Sequence, residues 1–167
     1  MGDLSIQELV TKLSLTAVDV SELVEGIPVE SITSRPGPDE FSVLENVCHL
    51  RDIEVEGYTV RIQRLLNEQH PELHDLDGGK LASERDYNQQ DVNEALSAFT
   101  QARLSNVAVL SETSEIQLGR TGELEGVGEI SLFRLIEMMC EHDEGHVDEL
   151  RVARRRILKA KEASPVI

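Results

Sequence analysis

The sequence predicts an all-α fold, a four-helix bundle, and three observations carry that expectation. Four long segments repeat apolar residues at steps of three and four, the period of a helix with one buried face. Every proline (Pro28, Pro36, Pro38, Pro71 and Pro165) falls outside those segments. No stretch reads as a convincing strand, Glu115 to Leu118 being too short to count. The long break after the second segment adds the order of the bundle. A long crossover lets the third helix run parallel to the second, which gives up-down-down-up.

The first helix is expected over residues 5–25. Ser5 with Glu8 makes a capping box, and Ile6, Leu9, Val10, Leu13, Ala17, Val20 and Val24 form the stripe before Gly26 and Pro28 end it. Residues 26–41 read as an irregular connection. The second helix runs from Ser42 to Glu68, opened by a second capping box, Ser42 with Glu45. Apolar residues cover much of its circumference, so it should touch more than one neighbour. Residues 69–90, with His70-Pro71, Gly78-Gly79 and Arg85-Asp86-Tyr87-Asn88, are the long second connection. The third helix opens at Asp91. Its stripe is Val92, Ala95, Phe99, Ala102, Val107 and Leu110, fading near Ser114. Gly119, Gly122, Gly126 and Gly128 punctuate a loop, and Ser131 caps a fourth helix that reaches Ile157.

Composition bounds the function. At 167 residues, 40% of them apolar, residues 1–167 suit a single domain with a full core. The formal net charge is −16, from 32 acidic against 16 basic residues, which argues against nucleic-acid and anionic-membrane partners. Basic residues cluster once, from Arg151 to Lys161, where cations at a helix C-terminus are the ordinary reading. No apolar run is long enough to span a membrane, and neither a signal peptide nor a myristoylation motif is expected at Met1-Gly2-Asp3. Cys48 and Cys140 are two lone cysteines in apolar helical patterns, read as packing residues in a reducing compartment, hence a cytoplasmic protein.

The chemistry lies in the histidines. His142 and His146 are four apart, one turn above the other, and interrupt the stripe of Leu132, Leu135, Ile136, Met139, Leu150 and Ala153. Imidazole at apolar positions forfeits burial unless a partner compensates. His49, early in the second helix, supplies a third ring. Three neutral nitrogens with one open position describe a catalytic-type site for zinc or another borderline metal. The ordinary alternative is core histidines satisfied by hydrogen bonds. His70 and His74 share the four-residue step but lie in a polar loop. Glu45, Asp52, Asp143 and Glu144 flank the histidines; each reads as a solvated-face acid, or else as a group that orients an imidazole or acts as a base. Gly145 in mid-helix makes room for another helix or a ligand, or is a local weakness of about 1 kcal/mol.

The segments Phe41-Ser42-Val43-Leu44-Glu45-Asn46-Val47-Cys48-His49-Leu50-Arg51-Asp52-Ile53-Glu54 and Glu141-His142-Asp143-Glu144-Gly145-His146-Val147 resemble the DinB-like (DinB/YfiT) superfamily. Members carry one histidine early in helix two and a His-x-x-x-His pair in helix four, though Phe41 stands where many have tryptophan. The resemblance implies a divalent cofactor, zinc or nickel, held by His49, His142 and His146. It implies a small-molecule substrate, with a low-molecular-weight thiol transferred to an electrophile, and a homodimer. A metal-dependent hydrolase using bound water and a non-catalytic metal-binding stress protein are the alternatives. An ion buried without access would favour the last, and an open cavity beside it would favour catalysis.

Overall fold

The computed structural model describes residues 4–38 and 40–163. Four long helical stretches form the bundle: α1 (Ile6–Val24); α2 (Val43–Asp52), continued through a π-helical segment Ile53–Tyr58 into α3 (Thr59–Asn67); α5 (Val92–Ser111); and α7 (Leu132–Ala163). Both expected capping boxes are present, Ser5 with Glu8 and Ser42 with Glu45. Asp91 caps α5, and Ser131 Oγ accepts from the Arg134 amide at 3.1 Å.

Direction follows from the pairs that touch. Cys140 approaches the Leu9 carbonyl, Lys12 pairs with Glu144, and Arg154 donates to the Leu23 carbonyl, so α1 and α7 run parallel. Ser42 meets Asn88 and Glu54 meets Arg103, so α2 and α5 also run parallel. His49 meets His142 and Asn46 meets His146, so α2 and α7 are antiparallel.

The long second connection is not structureless. It holds β1 (Glu72–Leu73), a short helix α4 (Gly78–Glu84) and a 3₁₀ turn at Tyr87–Gln89. Buried side chains tie it down. Asp52 accepts from Tyr87 Oη at 2.8 Å and Arg85 Nη1 at 2.7 Å, and Arg61 donates to the His74 carbonyl at 2.7 and 3.0 Å. A one-turn helix α6 (Glu115–Leu118) precedes a hairpin of β2 (Thr121–Leu124) and β3 (Gly128–Ser131). The expectation of no strand is corrected here: β1 pairs parallel with β2, which pairs antiparallel with β3, in one small sheet. Its strands have two to four residues, too few for a period-two pattern to register, and Gly126 (φ +75°) makes the turn.

Two apolar clusters fill the bundle. One holds Leu13, Ile53, Leu110 and Met139, the other Ala17, Leu50, Phe99 and Val147. Between them lies a polar layer. Arg103 on α5 reaches Glu54, Asp143 on α7 and the Leu13 carbonyl on α1. Within the basic cluster at the end of α7, Arg154 donates to carbonyls in the last turn of α1, and Arg156 pairs with Glu40. Among the described residues, no helix is long and apolar enough to cross a membrane.

Candidate metal centre

His49 comes from the second turn of α2, and His142 and His146 from successive turns of α7. Because α2 and α7 cross antiparallel, the three rings meet. Their centroids are 4.5 Å (His49–His146), 4.6 Å (His142–His146) and 5.3 Å (His49–His142) apart. One ring nitrogen of each lies within 4.8 Å of the other two.

Two facts argue that this trio is a ligand set rather than ordinary core histidines. His49 Nε2 and His142 Nε2 face each other at 3.1 Å. Two ligands of a tetrahedral zinc, each about 2.0–2.1 Å from the ion, stand about 3.3 Å apart. And among the described residues, the buried side-chain polar atoms without a hydrogen-bond partner are His49 Nδ1 and His142 Nδ1. Core histidines satisfied by the protein would not leave those atoms bare. His146 is oriented from behind: its Nδ1 meets Asn46 Oδ1 at 2.8 Å and Glu149 Oε2 at 3.0 Å, leaving Nε2 for the centre. Burial, then the neighbouring His146 and His142, push the His49 pKa down to about 3, so its ring is neutral at pH 7 and offers a lone pair.

Gly78, at the start of α4, packs closely against His49. A Cβ there would stand 2.3 Å from His49 Cε1 and 2.6 Å from Nδ1. On the other side the site opens. A cavity of about 420 Å³ is lined by His146, Gly145, Phe41, Pro36 and Val152, with Glu40, Asp148 and Glu149 at its edge. A Cβ on Gly145 would meet nothing within 4 Å, so this glycine fronts the cavity and not a neighbouring helix.

His70 and His74 stay apart from the centre, with side chains 52% and 79% exposed, and contact Glu129 and Glu125. Cys48 and Cys140 are buried, and burial pushes each thiol up to about 11, as befits packing residues. The acids depart from the sequence expectation. Glu45, Asp52 and Asp143 are buried and paired; only Glu144 has the exposed position expected of a solvated face. In α7 the buried stripe passes through Asp143 and Val147, with His142 and His146 half-buried on its flank. The sequence reading put the histidines inside the stripe because it took Asp143 for a surface acid. It also missed the roles of Asn46 and of Gly78, which it placed only in the long second connection.

A model of the DinB superfamily matches residues 12–150. Among solved structures, the chain is similar to YfiT from Bacillus subtilis, described as a probable metal-dependent hydrolase with an unusual four-helix bundle topology. That match has a TM-score of 0.85 at 17% identity, over 94% of this chain and 91% of that one. An uncharacterised protein from Clostridium difficile 630 matches with a TM-score of 0.64 at 13% identity, over 99% of this chain and 100% of that one. At such identities the likeness shows the fold alone. No curated protein sequence matches the chain.

Proposed function

Because the chain belongs to the DinB superfamily, we propose that it is a metal-dependent enzyme acting on a small molecule, with zinc or nickel held by His49, His142 and His146. The observation that carries the reading is the meeting of three imidazoles, with His49 Nε2 and His142 Nε2 facing each other at 3.1 Å, beside an open cavity. An ion there supplies a Lewis acid that makes a thiol or a water nucleophilic at neutral pH.

The chain's own residues do the rest. Asn46 and Glu149 orient His146 through Nδ1. Gly78 and Phe41, whose ring centroid is 5.5 Å from that of His49, both pack against the His49 ring. Phe41, Pro36 and Val152 give the substrate an apolar wall. The cavity beside His146 favours catalysis over a closed, purely structural centre.

The first reading of the reaction is transfer of a low-molecular-weight thiol to a small electrophile. Neither buried cysteine lines the cavity, so the thiol comes from solution. The second is hydrolysis, favoured by the description of YfiT. Turnover of an activated aryl halide with added thiol, and of an activated ester without thiol, tests the two readings on zinc- or nickel-loaded protein. Thiol-dependent conjugation lost in His146→Ala supports transfer. Ester hydrolysis without thiol, lost in the same variant, supports the second reading. Full activity in His146→Ala overturns both.

A further inference from the structure

Two carboxylates and one guanidinium occupy the polar layer at the centre of the bundle. Glu54, Arg103 and Asp143 are 0%, 1% and 2% exposed. Glu54 accepts from Arg103 Nε at 2.9 Å, from Arg103 Nη2 at 2.8 Å and from Asn106 Nδ2 at 2.7 Å. Asp143 accepts from Arg103 Nη1, and from Nη2 at 3.1 Å. These partners are all donors, the pattern an ionised carboxylate requires. Two negative charges against one positive leave one surplus negative charge in the core, and a lone buried charge is costly. Arg61, the other buried guanidinium, is turned to the His74 carbonyl and Asp75.

The surplus points at the histidines. Asp143 Oδ1 lies 3.6 Å from His142 Nδ1, one of the two buried nitrogens without a hydrogen-bond partner. We infer that the Glu54–Arg103–Asp143 layer is the counter-charge of the metal centre: Asp143 is a positioning residue whose ionised carboxylate faces the His142 Nδ1–H as its acceptor, and Arg103, anchored by Glu54, holds Asp143 in place. The inference rests on the three-histidine reading above. It explains why a core that could have been apolar at three facing positions keeps a charged set instead. The layer's excess charge offsets part of the ion's, and a carboxylate behind an imidazole fixes its tautomer and makes the opposite nitrogen a better ligand.

The test is the zinc dissociation constant, by competition with a chromophoric chelator, for wild type, Asp143→Asn, Glu54→Gln and a surface control. Glu30→Gln removes the same unit of charge from an exposed position. Asp143→Asn and Glu54→Gln should each weaken zinc binding about tenfold or more while still unfolding cooperatively, and Glu30→Gln should not. A folded Asp143→Asn or Glu54→Gln protein with wild-type affinity overturns the coupling. If neither variant folds, wild type carries the test: its Arg103 Nε–H resonance should shift as zinc is added, and an unmoved resonance overturns the inference. A wild type that takes no zinc overturns the metal reading itself, and this inference with it.

Discussion

At the scale of single residues, Gly78 does for His49 what Asn46 does for His146. One restrains a ring by close contact, the other by a hydrogen bond. Gly78→Ala forces a methyl group into the imidazole, so either the ring or the first turn of α4 must move. Metal affinity should fall while the bundle stays folded; unchanged affinity by chelator competition would show that α4 yields instead. Asn46→Ala should cost about 10–100-fold in metal affinity, as loss of an imidazole's orienting partner does. Glu149 keeps one contact to Nδ1 in that variant, so the loss belongs to the lower part of the range.

At the scale of elements, α2 carries one of the three rings, and its N-terminus fixes where His49 sits. Ser42 caps it and its hydroxyl also donates to Asn88 Oδ1 at 2.6 Å. Ser42→Ala should therefore cost about 1–2 kcal/mol, read as a fall in Tm of a few degrees. Glu45, the box's other half, has its pKa lowered from 4.5: burial alone would raise it, but Arg35 and the Ser42 amide outweigh that. Its folded value lies below its unfolded one, so its stabilisation is present above about pH 4.5 and fades as pH falls through the folded value. Glu45→Gln should flatten that acid limb of the stability curve; an unaltered limb would contradict it. The elements also show what was legible in the sequence. Stripes of leucine and valine located the four long helices, and capping boxes located two of their starts. In α5 the pattern misled: the buried face is Ala95, Phe99, Arg103, Asn106 and Leu110, and two polar residues at core positions pushed the sequence reading towards Ala102 and Val107. The same masking hid Asp143 in α7. Buried charges that pair only in three dimensions leave no periodic trace, and the π-helical turn at Ile53–Tyr58 shifts the face of helix two, leaving Val55 exposed. The three histidines were legible as a pair four residues apart in helix four and a third ring early in helix two, although the pair flanks the buried stripe rather than lying in it. Their partners were not, since asparagine and glycine have many commoner uses.

At the scale of the whole molecule, a net charge of −16 on 167 residues sets a background of self-repulsion. Added sodium chloride should raise Tm between low ionic strength and about 0.5 M, where the Debye length falls to a few ångströms. A falling Tm would mean that the surface ion pairs outweigh that repulsion. The same background draws divalent cations towards the cavity, whose edge carries Glu40, Asp148 and Glu149. The central claim is that one ion sits among His49, His142 and His146. Elemental analysis of untagged protein, wild type beside His142→Ala and after incubation with zinc or nickel, tests it most directly. About one zinc or nickel per chain in wild type, lost in the variant, is the predicted result. Wild type that holds no metal, or a variant that holds as much, would contradict it.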